Sequence, residues 1–468
     1  MALSDTTVPG GRIVTPVDIP PEAAAMPDPA AVGANRSLVE RMFKLREHGT
    51  NVRTELIAGL TTFLTMAYIV FVNPSILGDA GMPREAVFVA TCLIAAFGTL
   101  VMGLFANYPI ALAPGMGLNA YFAYVVVGGM GYPWQVALGA VFISGCLFLL
   151  VTVLRLREWI IRGIPHSLRV AITVGIGMFL ALIALKSAGI VAPSKATFVT
   201  LGDVHQTPVL LAVLGFLLIV VLDRFQVRGA ILIGIVAVTA LSFLVGGNHF
   251  KGVFSAPPSI APTFMQLDVK GALAGGVLNV VLVFFLVELF DATGTLMGVA
   301  KRAGLLKEGK MDRMNKALLA DSGAIFAGSM LGTSSTTAYI ESATGVQAGG
   351  RTGLTAVTVA VLFLACLFIA PLAGAVPAYA TAPALFFVAC LMLRELTELN
   401  WDDSTEVIPA AVTALAMPFT YSIANGLAFG FITYAVLKLL TGQARQVHFM
   451  SWLIAGVFLL RFALLGGH

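Results

Sequence analysis

VLVFFLVELFDATGTLMGVA, running from Val281 to Ala300, is an apolar stretch of membrane-spanning character that carries two carboxylates. Glu288 and Asp291 stand three residues apart and so share one side of a helix. An ionised acid in hydrocarbon is costly, and acids within spans normally face a bundle interior or a water-filled cavity. Seven apolar residues precede Glu288, and the next base is Lys301. A scaffolding role, in which an acid near a helix end caps or pairs with a neighbour, is the alternative. The stretch reads as a spanning helix whose acids mark a functional site.

The rest of the chain agrees with a membrane environment. Of 468 residues, 58% are hydrophobic and 11% charged, against roughly 25% charged in soluble domains. The formal net charge of +4 is small, and the bases sit at the ends of apolar runs rather than forming a stripe, so no nucleic-acid partner is expected. Cys92, Cys146, Cys366 and Cys390 lie inside apolar runs without CxxC spacing, which points to neither a disulfide framework nor a metal site. An intramembrane hydrolase would also place acids in the bilayer. The chain carries neither HExxH nor GxSxG, and its six histidines make no ligand-like cluster, so no enzyme is expected.

Apolar runs fall at 56–72, 86–106, 109–128, 134–154, 168–190, 208–222 and 229–245, then, after a proline-bearing polar loop, at 273–296, 317–331, 336–349, 353–369, 376–393, 407–421 and 426–440. Seven spans thus follow seven. The basic clusters at 36–53, 155–169, 224–228, 301–316 and 351 all fall on the side of the N-terminus, which the positive-inside rule makes cytosolic. Residues 1–53 read as a largely disordered cytosolic tail with a short amphipathic helix at 38–45. The run 451–465 is short for a span, and Trp452 and Arg461 favour an interfacial position over a fifteenth crossing.

Asn119-Ala-Tyr-Phe122 matches Thr337-Ala-Tyr-Ile340 at an offset of 218. With an odd number of spans per half, the halves have opposite orientations, the inverted repeat of secondary transporters. The segments that carry the match are interrupted: Pro109-Ile-Ala-Leu-Ala-Pro-Gly-Met-Gly117 in one, the polar run Gly332-Thr-Ser-Ser-Thr-Thr337 in the other. Glycines for close helix packing and hydroxyls bonded back to their own helix would be a purely structural account. Paired breaks, however, are the best sequence pointer to a transport site, where freed backbone N–H groups bind a substrate. At the same offset Glu341 corresponds to Ala123, so the acids Glu288, Asp291 and Glu341 lie on one half, with Asn119 supplying an amide from the other.

The combination TELIAGLTTFLTMAYIVFVNPSIL (Thr54 to Leu77), APGMGLNAYFAY (Ala113 to Tyr124), VELFDATGTLMG (Val287 to Gly298), GTSSTTAYIESATGVQAGGRTGLTA (Gly332 to Ala356) and MPFTYSIANG (Met417 to Gly426) resembles the AzgA-like purine permeases of the nucleobase cation symporter-2 family. The resemblance runs from about Thr54 to the C-terminus. It implies an all-α polytopic membrane protein of fourteen segments in two inverted repeats of seven, with segments 3 and 10 interrupted. Segments 1–4 (54–155) and 8–11 (270–372) would form a core, and segments 5–7 (156–250) and 12–14 (373–468) a gate. The implied function is import of adenine, guanine or hypoxanthine across the cell membrane by proton symport, with no cofactor beyond the proton and a homodimer as a possible assembly.

Substrate binding is expected at Glu288, Glu341, Asn119, Ser334, Ser335 and Thr337, and proton coupling at Glu341, Asp291 and Glu288. Glu288 stands where some relatives carry Asp. A neutral purine offers ring N–H donors and ring-nitrogen or carbonyl acceptors along one edge, so a carboxylate accepts while backbone N–H groups donate. Another nucleobase such as uracil or xanthine fits the same architecture; an anion is disfavoured by the three acids.

Overall fold

In hydrocarbon every backbone N–H and C=O must be paired within the chain, which leaves the helix as the spanning element for so apolar a sequence. The computed structural model, which describes residues 38–157, 160, 163–245, 252–274, 277–302, 304–307 and 310–465, is built accordingly. Nine helices among the described residues are long and apolar enough to cross a membrane: segments 1 (Val52–Asp79), 2 (Arg84–Ala106), 4 (Trp134–Val153), 5 (His166–Ser187), 6 (Thr207–Arg224), 8 (Leu278–Lys301), 11 (Gly353–Gly374), 12 (Ala378–Glu398) and 14 (Ile423–Leu440). Segments 7 (Ala230–Leu244), 9 (Met314–Leu331) and 13 (Ser404–Phe419) are less apolar or shorter.

Six short strands are found among the described residues: β1 (Leu112–Pro114), β2 (Val191–Ser194), β3 (Phe198–Leu201), β4 (Leu306–Lys307), β5 (Lys310–Met311) and β6 (Thr336–Ala338). The pairs β2–β3 and β4–β5 are hairpins, whereas β1 and β6 pair with each other across the two halves of the chain. Segment 3 is therefore β1 followed by the half-helix Met116–Val127, and segment 10 is β6 followed by Ser342–Gln347.

The β1–β6 pairing is antiparallel, with Ala113 opposite Thr337 and Leu112 opposite Ala338. Equivalent strands running in opposite directions are what a two-fold axis in the membrane plane produces, and the fold is the expected pair of inverted seven-segment repeats. The order of elements corrects one detail. Both breaks run strand and then half-helix, β1 before Met116 and β6 before Ser342, so Asn119-Ala-Tyr-Phe122 and Thr337-Ala-Tyr-Ile340 are not symmetry mates. Asn119 lies inside a half-helix and Thr337 in a strand.

An extended interruption inside a bundle needs partners for its backbone groups, and these are supplied one by one. Gly115 N–H donates to Ser335 O at 2.9 Å and Tyr339 N–H to Ala111 O at 2.9 Å, extending the ladder at both ends. Leu112 N–H donates to Thr99 Oγ1 at 2.9 Å, and Ala111 N–H to Ser342 Oγ at 3.0 Å. Pro114 closes β1 without an N–H of its own to satisfy.

Two sets of helices pack among themselves. Segment 11 lies against 1 and 2, and segment 9 against 2 and 4, with 4 also touching 8; segment 5 lies against 12, 13 and 14, and segments 6, 7 and 12 pack on one another. A Cβ on Gly353 would collide with the Gly103 carbonyl, so segments 2 and 11 cross at backbone contact. The start of segment 11 is held by Glu55, a fully buried acid of segment 1 whose carboxylate accepts from Arg351 N–H at 2.8 Å, Thr355 N–H at 3.2 Å and Thr355 Oγ1 at 2.6 Å. A negative charge there also suits the positive end of the helix dipole. In the other set, buried Lys438 of segment 14 pairs with Glu406 of segment 13 at 2.9 Å, and Ser167 of segment 5 donates to the same carboxylate. Outward faces carry Leu147, Leu150 and Val153 on segment 4 and Leu210, Leu214 and Leu217 on segment 6, all exposed, as a lipid-facing surface requires.

Leu38–Phe43 is helical within the expected 38–45, and residues 1–37 lie outside the described residues. The C-terminal run forms the helix Phe449–Leu465, packed on segment 14. Arg461, read from sequence as an interfacial anchor, is instead 7% exposed and lies within electrostatic reach of Tyr121 in segment 3. Its charge is drawn inward by the protein, so it gives no support to an interfacial position.

Candidate functional site

A cavity of about 350 Å³ lies where segments 1, 3, 8, 10 and 12 meet. Its polar wall is made by Asp291 and Thr295 of segment 8, Thr337 of β6, Glu341 of segment 10 and Thr65 and Tyr68 of segment 1. Met116 and Gly117, the first residues of the half-helix in segment 3, bring that helix's N-terminus to the same space, and Phe387, Val388, Leu391 and Met392 of segment 12 form an apolar wall. The lining also includes Asp223 at the end of segment 6, Val227 just after it, and Arg394 and Glu395 near the end of segment 12. All four lie toward the face that carries the loops after even-numbered segments.

The polar run of segment 10 distributes its side chains one by one. Ser334 Oγ donates to Asn119 Oδ1, while Asn119 Nδ2 donates to Asn73 Oδ1 at 2.6 Å and Asn73 Nδ2 to Thr91 at 2.7 Å and Thr333 at 3.0 Å. Ser335 faces Glu288 and Thr337 faces Asp291, each hydroxyl near its acid but outside hydrogen-bond geometry. Tyr68 Oη donates to Glu341 Oε1 at 2.6 Å.

The candidate residues therefore fall into two sets. Asp291, Thr337 and Glu341 line the cavity, and both acids are half-buried. Glu288, Asn119, Ser334 and Ser335 do not line it. Asn119 and Ser334 are fully buried and spend their polar atoms on each other and on Asn73, fastening the two breaks to segment 1. Glu288 is 1% exposed and turns toward segment 4, where Ser144 Oγ donates to its Oε2 at 2.8 Å. Direct substrate contact is expected of these four from sequence; in this structure they stand behind the wall of the cavity, with Ser335 Oγ and Glu288 Oε1 buried without a hydrogen-bond partner among the described residues.

Behind that wall lies a cluster that the sequence reading passed over. Asp321 of segment 9 is fully buried, and neither of its oxygens has a hydrogen-bond partner among the described residues. Arg157, counted from sequence as a loop base, is 1% exposed; its Nε and Nη2 donate to Thr293 at 3.0 and 2.8 Å, and its guanidinium lies 4.3 Å from the centre of the Phe148 ring. Asp321 and Glu288 are both within its electrostatic reach. The signal for Asp321 was available, since it is an acid inside an apolar run like the other three. Tyr68 gave none, because a tyrosine in a span is ordinary.

The comparisons with known proteins bear on the same regions. A profile described as "Permease family" matches residues 53–464. The adenine permease AdeP of Escherichia coli K12 is 51% identical over 93% of this chain and 98% of its own length. The guanine/hypoxanthine permease PbuO of Bacillus subtilis 168 is 46% identical over 91% of this chain and 100% of its own length. Among solved structures, the transmembrane domain of the cyanobacterial bicarbonate transporter BicA superposes with a TM-score of 0.62 at 18% identity, covering 82% of this chain and 98% of that one, a likeness of fold. Membrane-spanning helices in two inverted repeats, with paired strands at the two breaks and a cavity beside them, are thus joined to a match along nearly the whole described sequence, and the chain belongs to this permease family, the one its motifs resemble.

Proposed function

We propose that this permease imports purine nucleobases across the cell membrane by proton symport, with its N-terminus in the cytosol. The observation that carries the reading is that Asp291 and Glu341 both line one small cavity that Phe387, Val388, Leu391 and Met392 line with apolar side chains. Carboxylates accept from ring N–H groups, the N–H groups opening the segment 3 half-helix donate to ring acceptors, and Phe387 and Met392 suit a flat ring face. A volume of about 350 Å³ lies at the low end of the ~300–1,000 Å³ typical of small-molecule sites, which favours a free base over a nucleotide. The names of the relatives, which are adenine and guanine/hypoxanthine permeases, support the same cargo. Two carboxylates facing one cavity can also take up a proton together with a neutral base. Uptake of radiolabelled adenine, guanine and hypoxanthine in a strain lacking its own permeases tests the cargo. Competition by uracil alone, with no purine uptake, would sink it.

For the cycle, we propose that segments 1–4 and 8–11 move as a core against a gate of segments 5–7 and 12–14. Asp223, Arg394 and Glu395 of the cavity lining stand at the ends of segments 6 and 12, on the side assigned to the cytosol. On the opposite side, Tyr124 Oη donates to Asp79 Oδ2 at 2.9 Å and Arg84 pairs with Asp79 at 3.2 Å, tying segments 1, 2 and 3 together. Tyr421, between segments 13 and 14, lies within electrostatic reach of Asp79, and it packs on Phe179 at 5.2 Å and under Lys186 at 5.7 Å, both of segment 5. This cluster joins core to gate where an outward path would open. Removing a hydrogen bond to a charged group shifts such an equilibrium by about tenfold for ~1.5 kcal/mol. A single cysteine replacing Met392 is accordingly expected to react with an impermeant thiol reagent from the cytosolic side, and from outside only once Asp79→Asn and Tyr124→Phe are added. External labelling that is high from the start, or unmoved by the pair of substitutions, would reverse the orientation or remove the seal.

A further inference from the structure

We propose that Tyr68 is a positioning residue for substrate recognition: its hydroxyl fixes which oxygen of Glu341 meets the ligand. The proposal deepens the purine reading and rests on it. Tyr68 is 1% exposed, lines the cavity and reaches Glu341 Oε1 at 2.6 Å, a short charge-assisted distance. The terminal torsion of a glutamate is broad and roughly two-fold, so a carboxylate without a partner samples many planes. A planar base presents its N–H and acceptor groups in fixed directions along one edge. With Oε1 committed to Tyr68, Oε2 is the acceptor left for a ring N–H, and the carboxylate plane is set before the ligand arrives.

The backbone of segment 1 is shaped to deliver that hydroxyl. Val70 N–H bonds to Ala67 O at 3.2 Å and Phe71 N–H to Tyr68 O at 3.1 Å, i to i+3 contacts that tighten the helix at this turn. Pro74 follows inside the helix and removes the N–H that would bond to the Val70 carbonyl. One turn earlier, Thr65 Oγ1 meets Thr344 Oγ1 at 3.1 Å, so segment 1 grips the half-helix of segment 10 at two successive points. The titratable groups in electrostatic contact with Glu341 are Tyr68, Asp291 and Tyr339, and Tyr68 is the one hydrogen-bonded to its carboxylate.

The test uses Tyr68→Phe, which keeps the ring and its packing and deletes the hydroxyl alone. In the purified protein, adenine affinity is expected to fall about three- to tenfold with unchanged thermal stability, and in cells KM rises while Vmax holds. In a Glu341→Gln background, where the acceptor is neutral, the same step is expected to weaken binding less than in the wild type. An unchanged affinity, an equal penalty in both backgrounds, or a loss that tracks reduced thermal stability would overturn the proposal. Failure of the unsubstituted protein to bind adenine, guanine or hypoxanthine would instead sink the purine reading on which it rests.

Discussion

Glu341→Gln is expected to weaken purine binding about tenfold without eliminating it, and to abolish accumulation against a gradient. The substitution keeps the size of the side chain and a carbonyl acceptor for Tyr68 Oη, so the local geometry around the 2.6 Å contact survives. What it removes is the second acceptor, since the amide nitrogen donates, and the ability to take up and release a proton. Glu341 is placed for that task at the junction of β6 and the half-helix of segment 10, half-buried and lining the cavity, with no base near it in sequence. No acid occurs from Pro109 to Gly128, the interrupted segment of the other repeat, so the function has no duplicate there. One unit of pH gradient is worth ~1.4 kcal/mol, about a tenfold concentration ratio. Without coupling that ratio is expected to collapse to equilibration, and the dependence of uptake on external pH to flatten. Uptake of labelled adenine, followed to steady state across external pH, measures both. Retained concentrative uptake with wild-type pH dependence would pass the coupling role to Asp291 or Glu288.

The division between Asp291 and Glu288 shows where a sequence stops being informative. Three residues on a helix are roughly 60° apart, which places both acids on one broad side. Periodicity does not say which edge of that side meets the cavity and which meets the next helix. Segment 8 sits at that boundary, with Asp291 on the cavity and Glu288 against Ser144 of segment 4. The repeat was legible for a related reason and misread in one respect. Prolines, glycines and hydroxyls at 109–117 and 332–337 marked both breaks, because an uninterrupted span avoids them. Two identical letters in a run of four, however, do not fix a register, and the structure places Asn119 in a half-helix and Thr337 in a strand. Arg157 and Arg461 were legible only as charges. The positive-inside rule counts bases near span ends, and it cannot distinguish one that stays in water from one the protein folds over and buries at 1% or 7% exposure.

Arg157→Met is expected to destabilise the protein severely, and neutralising its acids in the same chain to restore much of the loss. Arg157 is held by Thr293 and by the face of Phe148, with Asp321 and Glu288 in electrostatic reach and all three charges buried. Removing one member of such a group leaves the others uncompensated, at a cost of about 3–5 kcal/mol, whereas replacing the whole group by neutral side chains is often neutral or stabilising. That asymmetry separates charge balance from simple packing, since methionine fills comparable volume in both backgrounds. The measurement is the fraction of detergent-purified protein that stays monodisperse after heating. Arg157→Met should aggregate well below the wild-type temperature, and Arg157→Met/Glu288→Gln/Asp321→Asn should recover. A single variant as stable as wild type would show that the cluster does not depend on its cation. A triple variant no better than the single one would assign the loss to missing packing against Phe148. In either case Glu288 would be freed from its balancing role, and its place as a proton or substrate group would have to be tested on uptake alone.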